Sequence, residues 1–549
     1  MAKQKTTRKP KSATTTSTTT SIAKASALLV LAGLSSAVSQ LTLSPVYGSI
    51  PASIWHSKAL LTVVVSIVAA KTIFKKSLNP RWIPLVAFWS QPLQALLFRY
   101  SSSLGAAYGP VVTEALTLFP AVALSVYCAI DLLPPYLSPL AFVVLFVEKY
   151  AAALLPPLMG SSPLFTRSGL SLLVAALHAA VSPSLLLVLV LPALFHTVSL
   201  NPHFPSNFAV ANDALAAHNY TLLERHESLT GYVSVLESRE SQFRVLRCDH
   251  SLLGGHWMVT PARMETGQWH PEPIYSVFVM LEAVRLVKTL PADQERPDGA
   301  KRALNIGLGI GTAPAALVKH GINTTVVELD PVVHAMASKH FHLPANHTAV
   351  IADAVPWVAD AAASQPGSFD YIVHDVFTGG AEPAALFTVE FLQGLKTLLR
   401  ADDGVVAINY AGDLALPTTQ LVLNTIHAVF PSCRIFRDSE KQQKPKTDVE
   451  GNPLPEDDTD FINMVLFCRP VAEPIRFRQA EERDYLNSIV RQRMMVPRAD
   501  WEVPFTPDEK MGVLRKGGED VLEKGHEKSA VEHWGIMRTV LPPSVWELW

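Results

Sequence analysis

The sequence predicts an α/β fold, a doubly wound Rossmann-like sheet preceded by a small β domain, behind an N-terminal transmembrane helical domain. Three observations predict it. Residues 22 to about 200 are overwhelmingly apolar, whereas residues 201–549 hold most of the charge. From Tyr220 short runs alternate apolar and polar side chains, the period of half-buried strands. From Arg302 strand-like and helix-like runs alternate, which implies βαβ units and a mostly parallel sheet. The 549 residues are enough for several cores.

Residues 1–21 are rich in Lys, Arg, Thr and Ser without periodicity and read as a disordered basic tail. Residues 22–200 offer about six candidate spans, at 22–46, 59–74, 82–98, 111–133, 137–159 and 170–198. A bilayer needs about 20 apolar residues per span, so the second and third are short, and Pro183 kinks or folds the sixth. Lys3, Lys5, Arg8, Lys9 and Lys11 precede the first span, and Lys75, Lys76 and Arg81 follow the second. Positive charge marks cytoplasmic ends, so an even number of spans makes a multi-pass protein whose residues 201–549 face the cytosol. Glu114, Asp131, Glu148 and Lys149 lie in or beside spans, where charge is costly, but they form no ordered ion path. Asn219, Asn323 and Asn346 each open an Asn-x-Thr sequence; the latter two lie inside the expected sheet domain, and glycosylation there would contradict the cytosolic placement. Cys128, Cys248, Cys433 and Cys468 show no short spacing, which suggests neither a disulfide framework nor a zinc site and fits a reducing compartment.

Residues 215–260 form the small β domain. "YTLLERHE", "GYVSVLE" and "FRVLRCD" are its strands, "ESRESQ" a turn, and the glycine pair of "HSLLGGHWM" a tight corner. Residues 261–470 form the Rossmann-like domain. A helix is expected where Val277, Leu281, Val284 and Val287 recur at helical spacing. Five strands then alternate with helices, from "RALNIGLG" to "GVVAINYA", and "CRIFRD" with "FINMVLFCR" closes one edge as an antiparallel pair. Residues 471–549 are a charged, partly helical extension.

The stretch "LNIGLGIGTAPAAL" leaves the first parallel strand and enters the first helix. Glycines there let backbone N–H groups and a helix N-terminus approach a polar ligand. Gly307, Gly309 and Gly311 are spaced G-x-G-x-G; the nicotinamide pattern would need glycine or alanine at Thr312, and the alternate spacing is that of adenosylmethionine-binding sheets. Glu328 ends the second strand, about 20 residues after the first glycine, where a carboxylate accepts ribose hydroxyls. Asp353 ends the third, beside the adenine, and Asp375 the fourth, facing the reacting atom. His374 points the other way and is a packing residue. The histidines of "HAMASKHFHLPANH" read as surface positions, not as metal ligands. Each acid alone could equally cap a helix; their succession along one sheet edge favours function.

Together "LLERHESLTGYVSVLE", "RVLRCDHSLLGG", "IGLGIGT", "VVELDP" and "DVFTGGAEPAALFTVEFLQGLKTLLRADDGVVAIN" make residues 215–470 resemble the spermidine synthase-like family of adenosylmethionine-dependent transferases. The resemblance implies that Gly307–Gly311 cradle the methionine part, Glu328 the ribose and Asp353 the adenine. It makes Asp375 the acid beside the acceptor and places Tyr275 at the acceptor site. The cofactor is S-adenosylmethionine or its decarboxylated form. Aminopropyl-transferring members carry an acid where Ile310 stands, a second acid where Thr378 stands and glutamine where Ser276 stands. A dicationic polyamine wants carboxylates, because a buried unpaired ammonium costs several kcal/mol. The missing acids favour methyl transfer, while the family's best-known activity favours aminopropyl transfer.

The expectation is therefore a membrane-anchored transferase that alkylates an amine or other nucleophile, held in line with the sulfonium carbon. Asp375 and Tyr275 are its catalytic candidates. The alternative is a non-catalytic cofactor-binding scaffold or sensor, and a transport role would rest on Glu114, Glu148 and Lys149 alone. Expected partners are a small-molecule acceptor and the lipid bilayer, with a homodimer left open. No basic, aromatic-interleaved run points to nucleic acid.

Overall fold

The computed structural model describes residues 18–549 except 75, 292–293, 377–378, 380–382, 441–460 and 509. Thr378 and most of the basic tail therefore lie outside the described residues. The helical half is organised around the long helix Thr18–Tyr47, against which Phe119–Leu132, Val143–Leu154 and Arg167–Val181 pack. Three helical segments, Thr19–Tyr47, Ser49–Ile73 and Pro135–Leu154, are long and apolar enough to cross a membrane; the pair Ser101–Thr117 and Phe119–Leu132, bent by 47°, makes a fourth if it counts as one span. That is fewer than the six expected. Ile83–Phe98 has only 16 residues, and the 170–198 stretch breaks after Val181, before Pro183, where proline cannot continue the helix hydrogen bonds.

Glu114 is fully buried between these helices. It accepts from Ser39 Oγ at 3.0 Å, from Gln40 Nε2 at 2.9 Å and faces His56 Nδ1 at 2.9 Å. A buried carboxylate needs such partners, and their completeness gives Glu114 a structural role in joining three helices.

The small domain is an antiparallel sheet in the order β1-β2-β3-β4-β5, with β1 Tyr220–Glu227, β2 Tyr232–Ser238, β3 Phe243–Cys248, β4 Ser251–Trp257 and β5 Glu272–Pro273. It thus extends past the expected boundary at 260. Gly254 and Gly255 lie inside β4 rather than at a corner, because side chains there would strike Ile310 and Val245.

The second sheet runs β13-β11-β12-β10-β9-β6-β7-β8. Its strands are β6 Arg302–Ile306, β7 Asn323–Glu328, β8 Thr348–Ile351, β9 Tyr371–His374, β10 Val405–Asp413, β11 Ser432–Arg437, β12 Phe461–Arg469 and β13 Glu502–Val503. β6 to β10 are parallel, and β12 pairs antiparallel with β10 and β11. Strand alternation sends Leu304, Ile306, Ile372, Val406 and Ile408 into one core and Ala303, Tyr371, Val373, Val405 and Ala407 into the opposite one. The expected helix over 277–287 is shorter: Ser276–Met280 tightens into a 3₁₀ turn, Leu281–Leu286. A further helix, Pro417–Val429, fills the link between β10 and β11.

The cysteine expectation also needs correction. The register sets Cys433 opposite Cys468 across β11 and β12, and the two form a disulfide.

The C-terminal extension closes the molecule. It supplies β13 at the sheet edge and the helix Asp520–Val540, then runs into the seam between the halves. Arg247 is fully buried there. It donates to the carbonyls of Pro45, Val545 and Trp546 and lies 4.8 Å from the Trp546 ring centroid. Arg167, at the start of its helix, is also buried and pairs with Glu227 and, at 3.1 Å, with Asp249.

Candidate active site

The site starts from backbone geometry. β6 ends at Ile306, and the chain passes through Gly307–Gly311 into the helix Thr312–Lys319. Gly307, Gly309 and Gly311 have φ of 80°, 55° and 82°, a region that disfavours any Cβ. Close approach makes the same demand. A Cβ on Gly307 would strike the Asp375 carbonyl oxygen, and one on Gly309 that of Leu253 in β4. The loop is thereby clasped between the end of β9 and the small sheet. Ile310 N–H donates to Leu253 O at 3.3 Å, and its side chain is buried with Val233, Val235 and Leu246 of the small sheet. The position where aminopropyl-transferring relatives would place an acid is therefore an apolar plug.

Glu328 ends β7, nearly buried, and burial pushes its carboxyl up to about 7 despite hydrogen bonds from the backbone N–H groups of Asp330, Leu308 and Leu329. Asp330 N donates to Glu328 Oε1 at 2.8 Å. Asp330 itself caps the helix Pro331–His340 through Val332 N at 2.8 Å and accepts from Ser228 Oγ at 2.6 Å and from the Thr230 hydroxyl. It fastens the β1–β2 turn to Glu328, a role the motif "VVELDP" did not reveal.

Asp353 stands two residues beyond β8 and caps the helix Ala354–Ser364, accepting from Val355 N at 2.9 Å with one oxygen. It is exposed. Asp375 follows β9 directly; its N–H donates to Ile306 O at 2.9 Å, which holds it against the glycine loop. Burial pushes its carboxyl up to about 6, against the hydrogen bond it accepts from Asn409 Nδ2 at 2.7 Å. His374 is buried against Phe387 and Phe391, the packing position expected.

Tyr275 precedes the helix Ser276–Met280; its buried hydroxyl has no hydrogen-bond partner among the described residues, and burial raises its pKa. It shares no hydrogen bond with Asp375. Ser276 donates to the Asp438 carbonyl at 3.1 Å, and burial raises the Asp438 carboxyl. Asn305 Oδ1 and Asn409 Oδ1 are also buried without a partner. Buried acceptors of this kind cost free energy unless a donor arrives. A glycine cradle with no room for a Cβ, a buried carboxylate at the end of β7 and unmatched amide oxygens on β6 and β10 fit a polar nucleotide-like ligand. Sequence reading missed Asn305, Asn409 and Asp438, because an isolated Asn or Asp inside or after a strand carries no pattern.

Among the described residues no group of three His, Cys, Asp or Glu side chains converges to hold a metal. His334 and His347 approach each other at 3.0 Å, and His340 meets Glu224 at 2.6 Å.

Comparison with known proteins gives three kinds of likeness. Residues 286–437 match a spermine/spermidine synthase domain. The chain is 43% identical to an N-terminal histidine N-methyltransferase of Emericella nidulans, over 95% of this chain and 96% of that one. It is 33% identical to a polyamine aminopropyltransferase of Vibrio vulnificus, over 20% of this chain and 38% of the other. The crystal structure of a probable spermidine synthase from Corynebacterium glutamicum superposes with a TM-score of 0.37 and 16% identity, over 54% of this chain and 95% of that one.

Proposed function

The chain belongs to the spermidine synthase-like family of adenosylmethionine-dependent transferases, and from that premise we propose that it methylates the imidazole of an N-terminal histidine on a polypeptide acceptor. The likeness to the Emericella nidulans N-terminal histidine N-methyltransferase along nearly the whole of both chains carries this reading. The buried Ile310 supports methyl over aminopropyl transfer, since it removes an acid suited to a cationic cofactor tail. An N-terminal histidine exists only after the peptide bond before it has been cut, so a proteolytic step supplies the acceptor.

When bound, adenosylmethionine would supply a methyl group that a nitrogen lone pair attacks, the C–S bond breaking so that the sulfonium leaves as a neutral thioether. Gly307, Gly309 and Gly311 hold its methionine part, Glu328 its ribose and Asp353 its adenine. Asp375 takes the proton that the imidazole loses once its other nitrogen is alkylated. A carboxyl near 6 is ionised at neutral pH yet still basic enough for that transfer. Tyr275 offers its hydroxyl to the acceptor. The test is incubation of the full-length chain with adenosylmethionine and a histidine-led peptide, followed by fragmentation mass spectrometry. One added methylene on the first residue is expected. Product only from decarboxylated cofactor and a diamine would replace this reading with aminopropyl transfer.

The helical half anchors the enzyme in a membrane in this reading. Its exposed apolar side chains, such as Phe146, Leu154, Leu185 and Phe195, support an anchor, because soluble surfaces rarely gather so many. The basic residues around the first two helices favour a cytosolic transferase half. The Cys433–Cys468 disulfide favours the opposite face, since such bonds persist in oxidising compartments. Asn219, Asn323 and Asn346 are all exposed, so a glycosidase-sensitive mass shift on this half identifies the second orientation and its absence the first.

A further inference from the structure

A cleft of about 450 Å³ lies where the helical half, the small sheet, the loop after β9 and the C-terminal helix meet. Its size falls within the roughly 300–1,000 Å³ of ligand sites, and the cofactor and Asp375 assignments leave it unused. Two of its walls connect, by sequence or by hydrogen bonds, to residues of the candidate site. Gly379 and Pro383 belong to the loop that Asp375 begins. Thr230, on another wall, donates to Asp330, whose backbone N–H in turn donates to Glu328. On the small-sheet side the centre is sealed by Ile310 against β4, so a long acceptor must leave by another route.

Among the described lining residues the charge in the cleft is one-sided. Glu523 and Glu527, both exposed, line it from the helix Asp520–Val540. Like charges one turn apart weaken a helix slightly, and neither carries an ion pair among the described residues. The third acid, Asp249, is already matched by Arg167 at 3.1 Å. His250 and His526 also line the cleft, and burial lowers both their pKa values, so they stay neutral at pH 7 and do not offset the glutamates. Ser53 completes the lining from the helical half.

We propose that this cleft holds the residues that follow the methylated end of the acceptor, and that Glu523 and Glu527 select acceptors with basic side chains there. The inference rests on the polypeptide reading above and deepens it: the helical half becomes one wall of the acceptor site as well as an anchor. It also gives the C-terminal extension a task at the site, since both selecting carboxylates come from it.

The test compares three acceptors on the full-length chain: a histidine-led dipeptide, a histidine-led hexapeptide rich in lysine, and the same hexapeptide rich in glutamate. Wild type should favour the lysine peptide through KM. Combined Glu523→Gln and Glu527→Gln should raise that KM roughly tenfold, the scale of losing two exposed charge pairs, and leave kcat and dipeptide methylation unchanged. Ser53→Arg, which adds a cation from the opposite wall, should weaken the lysine peptide and strengthen the glutamate peptide. The inference is overturned if wild type methylates both hexapeptides with equal KM, or if the glutamine variant loses the dipeptide and the hexapeptides alike. If wild type methylates none of the three, the histidine reading falls, and this inference with it.

Discussion

Asp375→Asn separates catalysis from stability at one atom pair. The native carboxyl is pushed from its ordinary 3.8 up to about 6 by burial. Each unit is worth about 1.36 kcal/mol, so the fold carries about 3 kcal/mol of cost for this ionised group at neutral pH. Water in the crevice reduces that figure, and about 1–3 kcal/mol is the working range. The sign follows from linkage. A raised carboxyl pKa means that the native state holds the proton more tightly than the unfolded chain. The stabilisation is complete below pH 3.8 and is lost as pH rises through about 6. Asparagine keeps an oxygen for Asn409 Nδ2 and carries no charge. The variant should therefore match wild type in thermal stability near pH 4 and exceed it above about pH 7. For a domain of this size the gain amounts to roughly 2–12 °C. Turnover at saturating cofactor should fall about 10²–10⁴-fold, the worth of a positioned general base. Thermal unfolding across pH, paired with methyl transfer on the same preparations, measures both. A stability gap that does not change with pH, or a variant that keeps wild-type turnover, would refute the reasoning.

Three further outcomes follow from the same geometry. If Glu328 holds the ribose as proposed, adenosylmethionine affinity should weaken about tenfold per pH unit below about 7 and level off above it, because a carboxyl near 7 accepts hydroxyls best when ionised; calorimetric titration at several pH values reads this, and Glu328→Gln should flatten the profile. Gly309→Ala should abolish cofactor binding and cost about 1–3 kcal/mol of stability, since φ of 55° and the Leu253 carbonyl both oppose a Cβ. Arg167→Met leaves the partly buried Glu227 and Asp249 without their cation and should cost about 2–4 kcal/mol; limited proteolysis should then cut at the junction between the halves before either half is degraded.

What could be read from the sequence was what local pattern encodes. The strands from β6 to β10 carry their own hydrophobic runs, and the glycine loop declares itself because three glycines at alternate positions serve no ordinary helix or strand. His374 and Asp375 point opposite ways by strand alternation alone. The features that escaped depend on partners distant in sequence. Cys433 and Cys468 meet only because β11 and β12 pair in one register. Gly254 and Gly255 look like a turn, yet they stay in β4 because neighbouring side chains crowd it. β13 has two residues, too few for any period. The helix Pro417–Val429 does carry a signal, with proline at its start and Val422, Ile426 and Val429 on one face, but the expected order of elements assigns nothing to that link.

Ile310 shows why the departures from the family pattern belong together. An acid there would have to sit among Val233, Val235, Leu246 and Met336, all buried, where an unpaired charge costs several kcal/mol. Isoleucine instead packs so closely that Gly254 has no room for a side chain; a Cβ there would lie 2.7 Å from Ile310 Cγ1. The same residue holds the glycine loop to β4 through its backbone N–H. Restoring the acid alone would therefore not restore aminopropyl chemistry, because it would detach the cofactor loop from the small sheet before it could bind an amine. A change at this position requires the opposing strand to change with it, because the large apolar residue in the loop and the glycine in β4 form one packing unit.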